Sequence, residues 1–153
     1  MDLYETLKSI HVLAVVIWVG GAFAVQFFAV RAQRAEDPVR LAFFAKDAEW
    51  VGQHVFMPAS LVVLASGIWA VIDGPWSFGD VWVLWGLGGA AFSAILGATF
   101  LGPESGRIGA LINEKGASDP EAQQRISRIY TISRIELAIL FSVVLVMVIK
   151  PGA

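Results

Sequence analysis

The sequence predicts an all-α integral membrane protein, a four-helix bundle whose helices two and four extend well beyond the lipid into the cytoplasm. Four apolar stretches carry that prediction, at 10–30, 51–72, 81–101 and 129–149, each about 20 residues and long enough to cross a hydrocarbon core as a helix. Three of them contain no Asp, Glu, Lys or Arg, and the fourth contains only Arg134 and Glu136. Composition agrees, because 57% hydrophobic with 16% charged residues lies outside the soluble globular norm and makes the lipid bilayer the expected partner. The spans and their connections fill 1–153 as a single transmembrane domain, so any active group must sit in or beside the bundle. Basic and acidic residues are mixed in the same connections and leave no nucleic-acid footprint. The absence of cysteine removes disulfide, thiol and iron–sulfur chemistry.

The first span is too long for a secretory h-region and its flank (Asp2, Glu5, Lys8) is not basic, so it is expected to be retained as a helix. Gly20-Gly21 beside Trp18 offers a close-contact point in it. Asp37-Pro38 then supplies an N-cap before a proline at the first helical position, and Leu41, Phe44, Ala48, Val51 and Val55 carry an apolar stripe toward the second span. Helix two should therefore project about 15 Å beyond the lipid core at 1.5 Å per residue. Pro58 removes a backbone bond and deprives the His54 carbonyl of its usual partner, which predicts a kink.

In the third span Gly86, Ala90, Ala94 and Ala98 recur every fourth residue, with Gly89, Ser93 and Gly97 beside them. Small residues let backbones approach closely in lipid, and packing within the chain is favoured over a seam for a homo-oligomer. Gly102-Pro103 punctuates the chain, and Ile108, Leu111 and Ile112 predict a short amphipathic helix on the inner membrane surface, ending near Gly116. Asp119-Pro120 opens helix four, with Ser118 and Glu121 as an alternative capping box.

Lysine and arginine cluster after the first span (Arg31, Arg34, Arg40, Lys46) and after the third (Arg107, Lys115, Arg125, Arg128), and none lies in the turn between spans two and three. The positive-inside rule places those connections in the cytoplasm and both termini outside, in a bacterial inner membrane. Trp69, Trp76, Phe78, Trp82 and Trp85 crowd the middle turn as an interfacial belt.

Polar groups within the spans are costly and so are candidate sites. Arg134 and Glu136, two positions apart, point to nearly opposite sides of helix four and cannot neutralise each other on one face. Each has either a relay or ligand-anchoring role or a polar partner on another helix, such as Gln26 or Gln53. His11 and His54 differ in depth by about 25 Å, too far for one iron to reach both. Met147, by the same rise, comes within a few ångströms of the depth of His11, and a His/Met pair is an accepted haem ligation. A soft Cu(I) ion would accept the same two ligands, but two make a poor copper site. The competing readings are a hydrated interfacial His11, a lipid-facing Met147 and a structural His54 near Pro58.

The run HVLAVVIWVGGAFAV from His11, EWVGQHVFMPASLVVLASG from Glu49, LGPE from Leu101 and SRIELAIL through VIKPG resemble a family of uncharacterised bacterial four-span membrane proteins over essentially the full length. The His, Trp and Gly of the first helix are also similar to those of HemJ-type protoporphyrinogen oxidases and CopD-type copper-resistance membrane domains. The first likeness implies haem b with His11 as axial ligand, the second copper handling. The leading expectation is a haem b-binding membrane protein with a redox role, possessing His11 and Met147 as metal ligands, Trp18 as pocket wall and Arg134 as propionate partner. The rivals are a small transporter or channel subunit using Arg134, Glu136 and His54, and a non-catalytic scaffold subunit of a membrane complex.

Overall fold

In a computed structural model describing residues 2–152, the chain forms four long helices in up-down-up-down order: α1 (Leu3–Arg34), α2 (Pro38–Asp73), α3 (Val81–Lys115) and α4 (Pro120–Ile149). Each is long and apolar enough to cross a membrane. The helix starts read from Asp-Pro are present. The Asp37 carboxylate accepts from the N–H groups of Val39 (3.0 Å) and Arg40 (3.3 Å), and that of Asp119 from Glu121 (3.0 Å) and Ala122 (3.1 Å), so Asp119 rather than Ser118 caps α4. One end of the bundle carries both termini and the turn between α2 and α3. The other, here the loop end, carries the two remaining connections.

Three of the helices contain one wide π turn each, at Val16–Gly20 in α1, Gly52–Phe56 in α2 and Gly97–Leu101 in α3. The turn in α2 touches the other two, so all three lie in one layer. In α2 and α3 the turn is followed by a bond from Met57 N–H to the Gly52 carbonyl and from Gly102 N–H to the Gly97 carbonyl, five residues back, and a proline comes next in each case. Proline has no N–H to give the carbonyl four residues before it, and a turn widened at that point carries the helix past the proline. The chain therefore does not stop at Gly102-Pro103.

This corrects the expected surface helix. The segment holding Ile108, Leu111 and Ile112 is the end of α3, and Ile108 and Ile112 are buried against Leu41, Ala42 and Ala45 of α2 and Ala122 and Ile126 of α4. Its apolar stripe finds protein rather than lipid, because α2 and α4 start far enough back to run alongside it. Ser105 locks the contact by donating to the Ala45 carbonyl at 2.8 Å.

An inserted residue rotates everything beyond it by about 100° at 3.6 residues per turn. The pairing of helices changes accordingly across the layer. On the terminal side Leu3–Val15 packs on Met57–Asp73, and on the loop side Pro38–Val51 packs on Gly102–Lys115. The small-residue ridge of α3 is used within the chain: Gly89 lies against Val143, Gly86 against Met147, and Ala90 joins the central cluster with Trp18 and Leu140.

Candidate functional site

Two cavities flank the π-turn layer, and Trp18, 4% exposed, lines both. The cavity on the terminal side has a volume of about 380 Å³. Its walls are aliphatic, with Val15, Val63, Val83, Leu140 and Val143 among them, and His11 and Met147 both line it. The depth argument from helical rise thus brings together the two residues it singled out, along with Trp18.

His11 is held tightly. Its Nδ1 lies 3.0 Å from the Val63 carbonyl, an acceptor only, so Nδ1 carries the hydrogen and donates it. Ser66 Oγ, 3.2 Å away, spends its own hydrogen on the Val62 carbonyl at 2.5 Å and turns a lone pair toward the same N–H. The neutral ring therefore has an unprotonated Nε2, which the bonds at Nδ1 leave free. A backbone carbonyl orienting the second nitrogen is the usual arrangement behind a metal-binding histidine. Each of the two side chains also rests on a glycine. A Cβ on Gly67 would stand 3.0 Å from His11 Cε1, and one on Gly86 would stand 1.8 Å from Met147 Cε.

At the mouth, Lys8, Lys150 and Trp82 line the same cavity. Lys150 Nζ sits 4.0 Å over the Trp76 ring and 5.1 Å over that of Trp82. The buried Trp82 indole N–H has no acceptor, whereas that of Trp76 donates to Tyr4 Oη at 2.9 Å. An apolar cavity with two ammonium groups and an unspent N–H at its mouth suits a ligand with an apolar body and an anionic end.

Arg134 and Glu136 diverge as their spacing requires. Arg134 is exposed in a shallow outward groove with Phe23, Phe27 and Phe141, away from His11 and Met147. Glu136, 6% exposed, points inward to a second chamber of about 160 Å³ on the loop side. Gln26 lines both the groove and this chamber. It reaches Ser133 Oγ, whose hydrogen goes to the Tyr130 carbonyl, so Gln26 must present Nε2 and its Oε1 is left without a partner. Ser93 Oγ is likewise buried, its hydroxyl beside the Glu136 carboxyl and its lone pairs without a donor. His54 lines neither cavity: it is exposed, stacks on Trp50 at 4.7 Å and donates from Nδ1 to the Trp50 carbonyl. Among the described residues, no three His, Cys, Asp or Glu side chains gather as a metal-ligand set.

Sequence reasoning missed the supports: Ser66 and Gly67 behind His11, Lys8, Lys150 and Trp82 at the mouth, and Ser93 beside Glu136. It also missed Glu104, a 4% exposed carboxylate that Arg125 meets at 2.8 Å at the loop end. Glu104 directly after Pro103 in the LGPE run was its only trace in the sequence. Nearby, hydrogen bonds from Lys115 and Arg125 hold the exposed Glu121 carboxyl below its ordinary range.

The profile of one family, described as a predicted integral membrane protein (DUF2269), matches residues 5–151. No curated protein and no solved structure matches the chain, and the local likeness to HemJ-type and CopD-type proteins gains no support there.

Proposed function

The chain belongs to the DUF2269 family of predicted integral membrane proteins, and from that premise we propose that it is a haem b-binding redox protein of the bacterial inner membrane, with His11 as iron ligand in the cavity on the terminal side. One observation carries the reading: His11 is seated on Gly67 with Nδ1–H committed to the Val63 carbonyl, leaving Nε2 free in a cavity that Met147 also lines.

When bound there, haem b supplies a one-electron ferric/ferrous couple. The protein's own residues do the rest. The Val63 carbonyl fixes the histidine tautomer and strengthens Nε2 as a donor. Met147, with its head over Gly86, offers a thioether that raises the potential of a histidine-ligated iron. Trp18 and the valine walls exclude water, and Lys8, Lys150 and the Trp82 N–H supply partners for carboxylates at the mouth. The last group takes the role first assigned to Arg134, which lines a different groove.

The absorption spectrum of protein purified in mild detergent tests the proposal. A Soret band with sharp α and β bands on dithionite reduction is expected. Met147→Leu should keep the haem, convert it toward five-coordinate spectra and lower its reduction potential. A colourless protein after expression with added haem overturns the reading in favour of a transporter or scaffold.

Orientation and assembly complete the proposal. The loop end, with its arginines and lysines, faces the cytoplasm and the haem cavity faces outward. The chain has no cysteine, so Asp2→Cys and Lys115→Cys can be labelled singly. An impermeant maleimide should reach position 2 in intact spheroplasts and position 115 only after lysis, and the reverse pattern would invert the topology. A homo-oligomer through α3 would use its exposed Gly88, where an added Cβ meets nothing within 4 Å.

A further inference from the structure

We propose that the chamber on the loop side of the bundle is a second binding site, one that takes a small organic cation, a protonated amine or quaternary ammonium, with Glu136 as its counter-charge. Glu136 is 6% exposed, and no salt bridge joins it among the described residues. Among the residues lining the chamber it is the sole ionisable side chain apart from Tyr130, whose hydroxyl donates to the Ala29 carbonyl at 2.9 Å. A buried carboxylate facing no fixed cation is held in a medium that penalises lone charge, and a mobile cation relieves that penalty.

Two further observations point to a ligand. Ser93 is 1% exposed with its hydroxyl turned to the Glu136 carboxyl, no donor reaches its Oγ, and the partly buried Gln26 keeps an unpartnered Oε1. Both line the chamber with Glu136. Buried polar atoms are almost always satisfied, so two oxygens with unspent lone pairs beside one carboxylate mark where a donor is missing.

The remaining walls decide the class of cation. Ser60, Ser105 and Ser133 already donate to backbone carbonyls, and the rest of the surface is apolar and aromatic, with Trp18, Phe56 and Tyr130 among its rings. A hard metal cation demands a shell of about six oxygens. An ammonium needs one counter-charge, few acceptors and aromatic faces for cation–π contact. Gly52, Gly97 and Gly102, all in or beside the π turns, line the chamber without side chains and leave the space open. At about 160 Å³ it admits a small body only.

Calorimetric titration of the purified protein in a non-ionic detergent, with tetraethylammonium chloride against sodium chloride at constant ionic strength, tests this. Saturable binding of tetraethylammonium is expected, weakened at least about tenfold in Glu136→Gln, which keeps side-chain volume while removing the charge. In unmodified protein, tetraethylammonium should also protect Glu136 from dicyclohexylcarbodiimide, a readout independent of how the variant folds. Saturable heat from sodium alone, equal affinity in Glu136→Gln, or no protection would each overturn the proposal. The result does not depend on haem in the other cavity, which the Soret band reports separately.

Discussion

His11→Ala is expected to yield a folded protein that purifies without a Soret band. Among the described residues His11 is the one imidazole lining the cavity, and its loss leaves Met147, a weak ligand for iron. Structural cost should be modest. The change leaves the Val63 carbonyl without the His11 donor and opens space beside Gly67, but Ser66 keeps its bond to the Val62 carbonyl. Imidazole added to the variant should restore part of the spectrum, because the cavity walls survive. A His11→Ala protein with an unchanged haem spectrum would sink the ligand assignment. Gly67→Ala offers a milder version, since its Cβ would press on the ring at 3.0 Å and tilt Nε2 without removing it.

Gly89→Ala is expected to destabilise the bundle by about 1–3 kcal/mol in a reversible unfolding assay in detergent. A Cβ there would stand 2.4 Å from Val143 Cγ2, and valine, stiff at χ1, has little freedom to turn aside. The two helices would have to separate, and in lipid close packing is most of what holds them together. Val143→Ala in the same chain should recover much of the loss, so the double variant falls well short of the sum of the singles. Gly88→Ala is the built-in control: it adds the same methyl to the adjacent position, where nothing lies within 4 Å, and should cost little or nothing. Equal losses at positions 88 and 89 would show that the effect is not helix contact.

The spans, both Asp-Pro caps and the divergence of Arg134 from Glu136 could be read from the sequence because each rests on local chemistry or on helical periodicity. The common depth of His11 and Met147 followed from rise per residue, since an antiparallel bundle turns chain distance into depth, but that both face one cavity appears only in the fold. Partner identity was less accessible. Nothing local to Ile108 and Ile112 distinguishes a stripe facing lipid from one facing α2, and the choice turned on Pro103 being absorbed by a π turn. Ser93 read as one more small residue in a ridge, and its burial beside Glu136 appears only when α3 and α4 are packed together. Lys8 and Lys150 lie far apart in the chain and meet at one mouth only through the fold.

The three π turns also determine how the chain tolerates changes of length. Removing one residue from Gly52–Phe56 would leave α2 just as hydrophobic and just as helical, yet it would swing Pro38–Val51 about a quarter of a circle relative to Met57–Asp73. Leu41, Ala42 and Ala45 would then leave the face of α3 together, while the opposite half of the bundle stayed in register with α1. A deletion in this layer therefore acts as a rotation. Hydropathy would be blind to it, and lineages of this chain should hold the residue count between Pro38 and Pro58 far more strictly than that of the turn at 74–80.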